Sequence, residues 1–499
     1  MKMRGGVPRI LVVGGGITGL AAAYELSLHA AEVETFLVEE RARLGGNVLT
    51  VQRDGFLLDG GPDSFLRTKP AAAELCRELG LGDDLVQPLP SAHRVYVVRA
   101  EELVPLPAGM ALAVPTRLRP LVESPLLGWW GKLRILGDLF IDAPAEEAQD
   151  QSVEAFLLRH FGRQATERLA GPLLGGIFAG DIERLSMQST FPQLIDIERR
   201  HGSLIRGLFA AESRRAQSDA TERLPVRDDP LDPRNLIDLV RWLQRARRAP
   251  VSPFMSLRRG MGTLVDALAQ RLPAHAINTQ VGLRELRRCD DAHWEALLSN
   301  GRRESFDAVV ACLPAHAAAG VLGVDRVGAE LSAIPYVSTA TVFFAVESSR
   351  LKRPLDGSGF IVPRSEGRLL ASTWVSSKWP NRAPEGMALI RVFLGGAREP
   401  QLLGASGDDD LVAIATAELE RLLGPLGAVL FTHVFRWPLA NPQPLVGHHE
   451  RMQRVRRRLA AAPGIYLAGS AYEGVGISDC IRQGRSAALE ALGQIRAAV

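Results

Sequence analysis

Three glycines, Gly14, Gly16 and Gly19, follow the apolar run ILVV (10–13) and spell GxGxxG. In that pattern the first glycine permits a tight turn. The second lets a pyrophosphate approach the backbone, and the third lets helix and strand pack closely. Glu39 stands twenty residues after Gly19. A carboxylate there accepts hydrogen bonds from ribose hydroxyls and repels a 2′-phosphate. The chemistry implied is the binding of an adenine dinucleotide. In the stretch after Glu39, ERARLGGNV, Arg43 can neutralise phosphate, and Gly45 with Gly46 allow a second close backbone approach. Near the C-terminus, GVGISDC (474–480) places a glycine-rich turn before a helix, whose N-terminus suits the pyrimidine edge of a reduced flavin. No second GxGxxG is present for NAD(P)H. FAD is therefore expected, with electrons entering from an organic substrate and leaving to dioxygen or a quinone.

These residues need a frame. Residues 10–13 read as a buried strand, 19–30 as a helix and 33–38 as a second strand ending at Glu39, a βαβ unit. Residues 257–272 read as a loop followed by an amphipathic helix. Residues 293–298 and 304–312 read as a hairpin around Ser299-Asn300-Gly301. Residues 464–468 form a late apolar strand, followed by the glycine-rich turn and a helix from about Asp479. First and last segments then belong to one discontinuous domain. Residues 101–145 are rich in proline and leucine, and Trp129 and Trp130 stand beside Lys132 and Arg134. That combination suits a membrane interface, and equally a helical domain with inward apolar faces. Residues 213–250 read as a solvated loop or linker. Arg451, Arg454 and Arg458 fall on one helical face, read as solvated, with a lipid or partner contact as the alternative.

The chain has 499 residues, enough for two or three domains. A net charge of +3 gives no support for nucleic-acid binding. The four cysteines are scattered, without CxxC spacing or a neighbouring histidine cluster, which argues against a metal site or disulfide framework and for a reducing cytosol. The basic N-terminus is followed by an apolar run too short for a signal peptide, and no stretch of about 20 apolar residues is present to span a membrane.

GGGITGL, ERARLGG, GGPDSF and GVGISDC together resemble the flavin-containing amine oxidase and protoporphyrinogen oxidase superfamily. Residues 175–209 (GGIFAGDIERLSMQSTFPQLIDIERRHGSLIRGLF), 435–452 (FRWPLANPQPLVGHHERM) and 468–482 (AGSAYEGVGISDCIR) resemble its oxygen-dependent porphyrinogen oxidases. The resemblance implies an α/β chain with a Rossmann-like FAD-binding domain of p-hydroxybenzoate-hydroxylase type (1–66, 254–325 and 436–499). It also implies a substrate domain on a mixed sheet (67–92, 208–253 and 326–435) and a helical membrane-associating domain (93–207). It implies non-covalent FAD and six-electron oxidation of a porphyrinogen to a porphyrin in haem synthesis. One bridge carbon gives hydride to flavin N5 three times over, and dioxygen reoxidises the flavin to give hydrogen peroxide. Implied surroundings are cytoplasmic, against the inner membrane surface, with the next haem-pathway enzyme and a second copy of the chain as candidate partners.

Carried over by the same resemblance, Gly14, Gly16 and Gly19 hold pyrophosphate, Glu39 the adenosine ribose, and Arg43 and Gly46 the phosphate side. Val281 meets adenine through its backbone. Trp437, Gly469, Val475, Gly476 and Ile477 line the flavin. Arg94 pairs with a substrate propionate, or is a surface ion-pair partner. Ile361 and Phe393 sandwich the macrocycle, or are strand core. Gly175 packs beside the substrate. Cys480 opens a helix and is not expected to link a flavin covalently. Asp63, in GGPDSF, departs from the family's usual Asn, Arg or other polar residue. Its carboxylate accepts or removes a pyrrole N–H proton, or it is a turn residue after Pro62.

Protoporphyrinogen IX is the first substrate implied and coproporphyrinogen III the alternative. They differ by vinyl against propionate groups on two pyrroles. An amine oxidase or desaturase is more distant, because only Tyr472 lies in the C-terminal flavin motif where an amine oxidase needs an aromatic pair. A flavin-bound scaffold or tetrapyrrole carrier is the non-catalytic reading.

Overall fold

The computed structural model describes residues 7–111, 114–115, 118–142, 149–208, 210, 252–289, 293–324 and 326–498. The charged segment 213–250, read as a linker, lies outside them.

The strand Arg9–Val13 alternates its contacts. Ile10 and Val12 enter one core with the helices Ile17–Ser27 and Ile477–Ala498, while Leu11 and Val13 enter another on the opposite face. A strand buried on both faces needs an unbroken apolar run, which ILVV supplies. It sits at the centre of a five-stranded parallel sheet, ordered Ile277–Thr279, Glu34–Glu39, Arg9–Val13, Ala308–Ala311, Ile465–Leu467. On one face, Ala21 and Ala22 of the first helix meet Gly484, Ala487 and Ala488 of the last. A Cβ on Gly484 would overlap the Thr18 carbonyl, so the two helices can approach this closely only through small residues. On the other face lies an antiparallel meander, Leu283–Arg288, Trp294–Leu298 and Arg303–Phe306.

The single strand expected over 304–312 is two. Residues Arg303–Phe306 close the meander, and Ala308–Ala311 join the parallel sheet. Between them the Asp307 carboxylate accepts the Arg9 N–H at 2.7 Å, and the chain changes partners there.

A second, mixed sheet has seven strands, ordered Val429–Pro442, Tyr336–Glu347, Met387–Gly395, Ala371–Trp374, Gly359–Ile361, Val95–Arg99, Glu102–Pro105. Residues 93–207, expected to be helical, thus open with two strands that complete this sheet. The strand Val429–Pro442 runs through the boundary expected at 435/436. Period-two alternation divides the sheet's residues. Val342, Phe344, Phe360, Ile390 and Val392 pack against the helix Asp408–Leu423. Phe343, Phe435 and Trp437 face the hairpin Thr50–Arg53 and Phe56–Asp59.

The third part is helical and has its own core, built on Phe156, Leu157, Phe161, Leu174, Phe178 and Leu194. Its helix Val153–Ala165 kinks at Gly162 (φ 75°). Arg134 takes the carbonyls there, donating to Arg159 O at 2.6 Å and His160 O at 3.1 Å. Lys132 turns inward to Val122 O at 2.6 Å and lies over the Trp129 ring. The two cations beside the tryptophans therefore serve the fold, whereas Trp129 (70% exposed), Trp130 (85%) and Phe140 (84%) remain at the surface. The Arg451–Arg458 face is not simply solvated: Arg451, Arg454 and Arg458 all gather on Glu330. No helix among the described residues is long and apolar enough to cross a membrane.

Candidate functional site

The glycine turn closes tightly. Gly14 has φ +100° and donates to Val38 O at 2.8 Å, and a Cβ on it would come 2.7 Å from Cys312 O. A Cβ on Gly19 would overlap the Gly14 carbonyl oxygen, so this glycine sets the helix-to-turn distance. Gly16 differs: a Cβ there meets nothing nearer than Gly46 Cα at 3.9 Å. Gly16 caps the helix Ile17–Ser27 without a side-chain hydrogen bond, and no acid stands in the first turn. The helix therefore presents unneutralised N–H groups to this open space, as an anion requires.

The second glycine pair lies alongside. Gly45 N donates to Gly15 O at 2.8 Å, and Gly16 and Gly45 bridge in parallel. Arg43 braces this loop, donating to Leu44 O at 3.2 Å and Gly46 O at 2.7 Å. Glu39 ends its strand beside the turn, its carboxylate accepting Gly15 N at 2.7 Å and Arg41 N at 2.9 Å. Its carbonyl accepts the Val281 N–H at 3.0 Å. Gly14, Gly16, Gly19, Glu39, Arg43, Gly46 and Val281 thus converge at the carboxyl end of the parallel sheet.

The late turn closes the same end. Gly469 (φ +144°) donates to Gln483 Oε1 at 3.1 Å, while Gln483 Nε2 donates to Gly474 O at 3.3 Å. Gln483 therefore staples both ends of the turn. Val475 leans on the helical core and Ile477 on the parallel-sheet core, leaving Gly476 between them at the start of the last helix. Ser478, in the first turn, is buried with no partner for its hydroxyl. Asp479 pairs with Lys69 at 2.6 Å. Burial pushes the Cys480 thiol up to about 11, which keeps it unreactive.

Ile361, Ala371, Phe393, Thr341 and Phe435 are direct neighbours across five strands, so their side chains share one face of the mixed sheet. Arg391 and Trp437 stand one alternation away on that face. Three donors meet the Gly60 carbonyl: Arg391 Nη2 at 2.8 Å, Trp437 Nε1 at 3.0 Å and Thr341 Oγ1 at 3.1 Å. This fixes the turn that carries Asp63. The Asp63 carboxylate accepts Lys378 Nζ and Trp379 Nε1, both at 2.9 Å, and Ser64 Oγ at 2.7 Å. Burial pushes its carboxyl up, but the Lys378 and Arg391 charges and these hydrogen bonds prevail and hold it well below the usual carboxylate range. A carboxylate so held is a weak base, which favours acceptance of an N–H over its deprotonation.

Gly175, in the helix Gly171–Phe178, lines a cavity of about 390 Å³ with Ile182, Arg364, Leu370 and Arg398. Leu370 N donates to Phe393 O at 2.8 Å, which joins this cavity to the strand of Phe393. Arg94 is set apart. It is exposed and engaged by Asp356 at 2.7 Å, which also accepts Tyr96 OH at 2.7 Å. The surface ion pair, one of the two sequence readings, is what the structure contains. Sequence reasoning missed Gln483, Ser478, Lys378, Trp379 and Arg391. Ser478 lay inside a quoted motif and Gln483 one residue beyond it, its partners 14 and 9 positions back; Lys378, Trp379 and Arg391 have partners more than 300 positions away.

The open space at Gly16, the uncapped helix terminus and the orphaned Ser478 hydroxyl fit a phosphate-bearing cofactor stretched from the glycine turn to the late turn. Comparison with known proteins agrees. The flavin containing amine oxidoreductase family matches residues 17–492. The coproporphyrinogen III oxidase of Bacillus subtilis is 34% identical, over 98% of this chain and 99% of its own. The chloroplastic protoporphyrinogen oxidase of Nicotiana tabacum is 30% identical, over 97% of this chain and 85% of its own. A crystal structure from Exiguobacterium sp. 255-15, assigned as a protoporphyrinogen oxidase, superposes with a TM-score of 0.81 at 29% identity, covering 98% of this chain and 100% of its own. With the family match running over nearly the whole chain and through the late glycine turn, the chain belongs to the flavin containing amine oxidoreductases and is a flavin-dependent oxidoreductase.

Proposed function

We propose that the chain oxidises a porphyrinogen to a porphyrin, with FAD as its cofactor and dioxygen as the acceptor. The observation that carries this reading is the flat apolar row of Ile361, Ala371 and Phe393, on the same sheet face as Trp437 and the Asp63 turn. The hydrocarbon body of a porphyrinogen, puckered by its saturated bridges until it is oxidised, suits such an apolar face, and near-full-length similarity to porphyrinogen oxidases supports it. FAD, rather than another flavin, is supported by the glycine cradle together with Glu39 at the ribose end.

When bound, the flavin accepts hydride from a bridge carbon and passes electrons to dioxygen. The chain does the rest. Gly16 and the helix terminus hold pyrophosphate, and Arg43 keeps the second glycine pair in shape. Ile361 and Phe393, on one sheet face, support one side of the macrocycle, and Gly175 leaves room at its edge. The Asp63 oxygens stand ready to accept a pyrrole N–H without taking its proton. Arg94 would serve a propionate only on release from its surface pair with Asp356. Such positioning is the protein's main lever when the cofactor carries the chemistry.

Protoporphyrinogen IX and coproporphyrinogen III pass through the same mechanism. The identities favour coproporphyrinogen III, at 34% to the Bacillus subtilis enzyme against 30% to the tobacco protoporphyrinogen enzyme. Steady-state kinetics with both substrates decides between them. Anaerobic bleaching of the purified yellow protein by porphyrinogen, with recovery in air, is expected. Failure of both substrates to bleach it overturns the reading and favours a flavin-bound scaffold. A peripheral seat on the cytoplasmic membrane face is supported by exposed Trp129, Trp130, Leu133 and Phe140.

A further inference from the structure

Arg391 is buried, yet it faces a carbonyl rather than a carboxylate. It is 5% exposed. Nη2 reaches Gly60 O, Nε has no partner, and the guanidinium lies 4.4 Å from the Phe393 ring centroid and 5.4 Å from that of Phe343. Its charge is balanced at a distance, by Asp63 and Asp59. Asp63 is already shared with Lys378, and Asp59 lies 3.4 Å from Arg382. Three cations, Arg391, Lys378 and Arg382, thus stand against two carboxylates. Asp59, 4% exposed, is itself pushed up by burial. A buried cation left in excess is costly, and an apolar residue at 391 would continue the packing of Phe343 and Phe393 without that cost. The position retains charge where the fold gains least from it, which points to function.

We propose that Arg391 is a positioning residue for cofactor reduction: its guanidinium, locked between the Gly60 carbonyl and the Phe393 ring, supplies a fixed positive charge that favours the reduced flavin. This rests on the proposed function. Each round removes a hydride from a bridge carbon and a proton from a pyrrole N–H. The cofactor gains the hydride and one negative charge, and dioxygen then takes two electrons and two protons to become hydrogen peroxide. A preorganised cation stabilises the charge that develops in the first half of that cycle. Asp63, on the other side of the balance, opposes it.

The test uses holoenzyme and two readouts independent of turnover: the flavin midpoint potential, and the affinity of the oxidised flavin for sulfite, whose adduct also carries negative charge. Arg391→Met is expected to lower the potential and weaken sulfite binding at least tenfold, with Arg391→Lys restoring most of both. Asp63→Asn is expected to shift both the opposite way. A merely structural role for Arg391 would give loss without that sign reversal. Unchanged potential and sulfite affinity in Arg391→Met overturns the inference. Should that variant lose its flavin, Asp63→Asn decides: no rise in potential or sulfite affinity overturns it. If the shifts appear but wild-type flavin is not reduced by either porphyrinogen, the proposed substrate fails while the role of Arg391 stands.

Discussion

Gly16 and Gly19 belong to one motif, but the structure separates what each does. In Gly19→Ala the new methyl overlaps the Gly14 carbonyl, which is backbone and cannot rotate away. Overpacking of this kind costs about 3 kcal/mol, the upper part of its usual range. The apoprotein should melt earlier, and FAD binding falls because the turn itself moves. In Gly16→Ala the methyl enters open space, 3.9 Å from Gly46 Cα, at φ −70°, which alanine adopts freely. The apoprotein loses at most about 1 kcal/mol, from the poorer N-cap. The same methyl fills the space where pyrophosphate would approach. One or two charge-assisted hydrogen bonds at about 1.5 kcal/mol or more each are lost, about a hundredfold in FAD affinity. Flavin fluorescence titration of deflavinated protein, with thermal melts of the same samples, measures both effects. The reasoning is refuted if Gly16→Ala binds FAD within threefold of wild type, or if its apoprotein melts as early as that of Gly19→Ala.

Further expectations concern other parts of the molecule. His160 is buried between Asp138 and Glu198, and Glu198 also holds Arg159. Burial alone would lower the His160 pKa, but the two carboxylates raise it; burial would raise Glu198, but His160 and Arg159 lower it. The His160 contribution to stability is therefore complete below about pH 6.5 and is lost as pH rises through its raised folded value. The Glu198 contribution is present above about pH 4.5 and is lost as pH falls through its lowered one. Denaturant midpoints are expected to drop on both sides of that window. His160→Ala should lower the unfolding free energy by about 3 kcal/mol within it; a flat pH response in wild type would contradict this. Asp63→Ala is expected to cut turnover well over twofold by freeing Lys378 and Trp379 from the turn, and a loss of twofold or less removes Asp63 from the site. The double variant Trp129→Ser/Trp130→Ser should abolish co-sedimentation with anionic vesicles, since each exposed indole contributes about 3 kcal/mol on burial. Unchanged pelleting would show that these side chains are not the contact.

Much of the cofactor end was legible in the sequence because local rules write it. A strand buried on both faces, a glycine turn and an uncapped helix are consecutive in the chain, and Glu39 falls one strand later. The hairpin's end was misread because residues 304–312 are uniformly strand-like; the change of partner at Asp307 depends on Arg9, a contact no local pattern encodes. The apolar positions Ile361 and Phe393 were reached through resemblance, and alternation along each strand cannot say which strands are neighbours. Lys132 and Arg134 looked available beside two tryptophans, but carbonyls from residues 122 and 158–160 claim them. The Arg391 cluster was invisible for the same reason, since its carbonyl partner lies 331 positions away.

The parallel sheet carries a consequence for how the protein is made. Its central strand is Arg9–Val13 and its last is Ile465–Leu467, and the helix Ile477–Ala498 reaches back through Arg485 to Glu25 and Arg496 to Glu32. On the ribosome, the first glycine turn emerges early but cannot be finished until almost the whole chain is out. Loop closure over such separations is slow, and an unpaired parallel edge is exposed meanwhile. Flavin capture must then be among the last events of synthesis, and chains cut short before residue 465 should accumulate as colourless, aggregation-prone fragments.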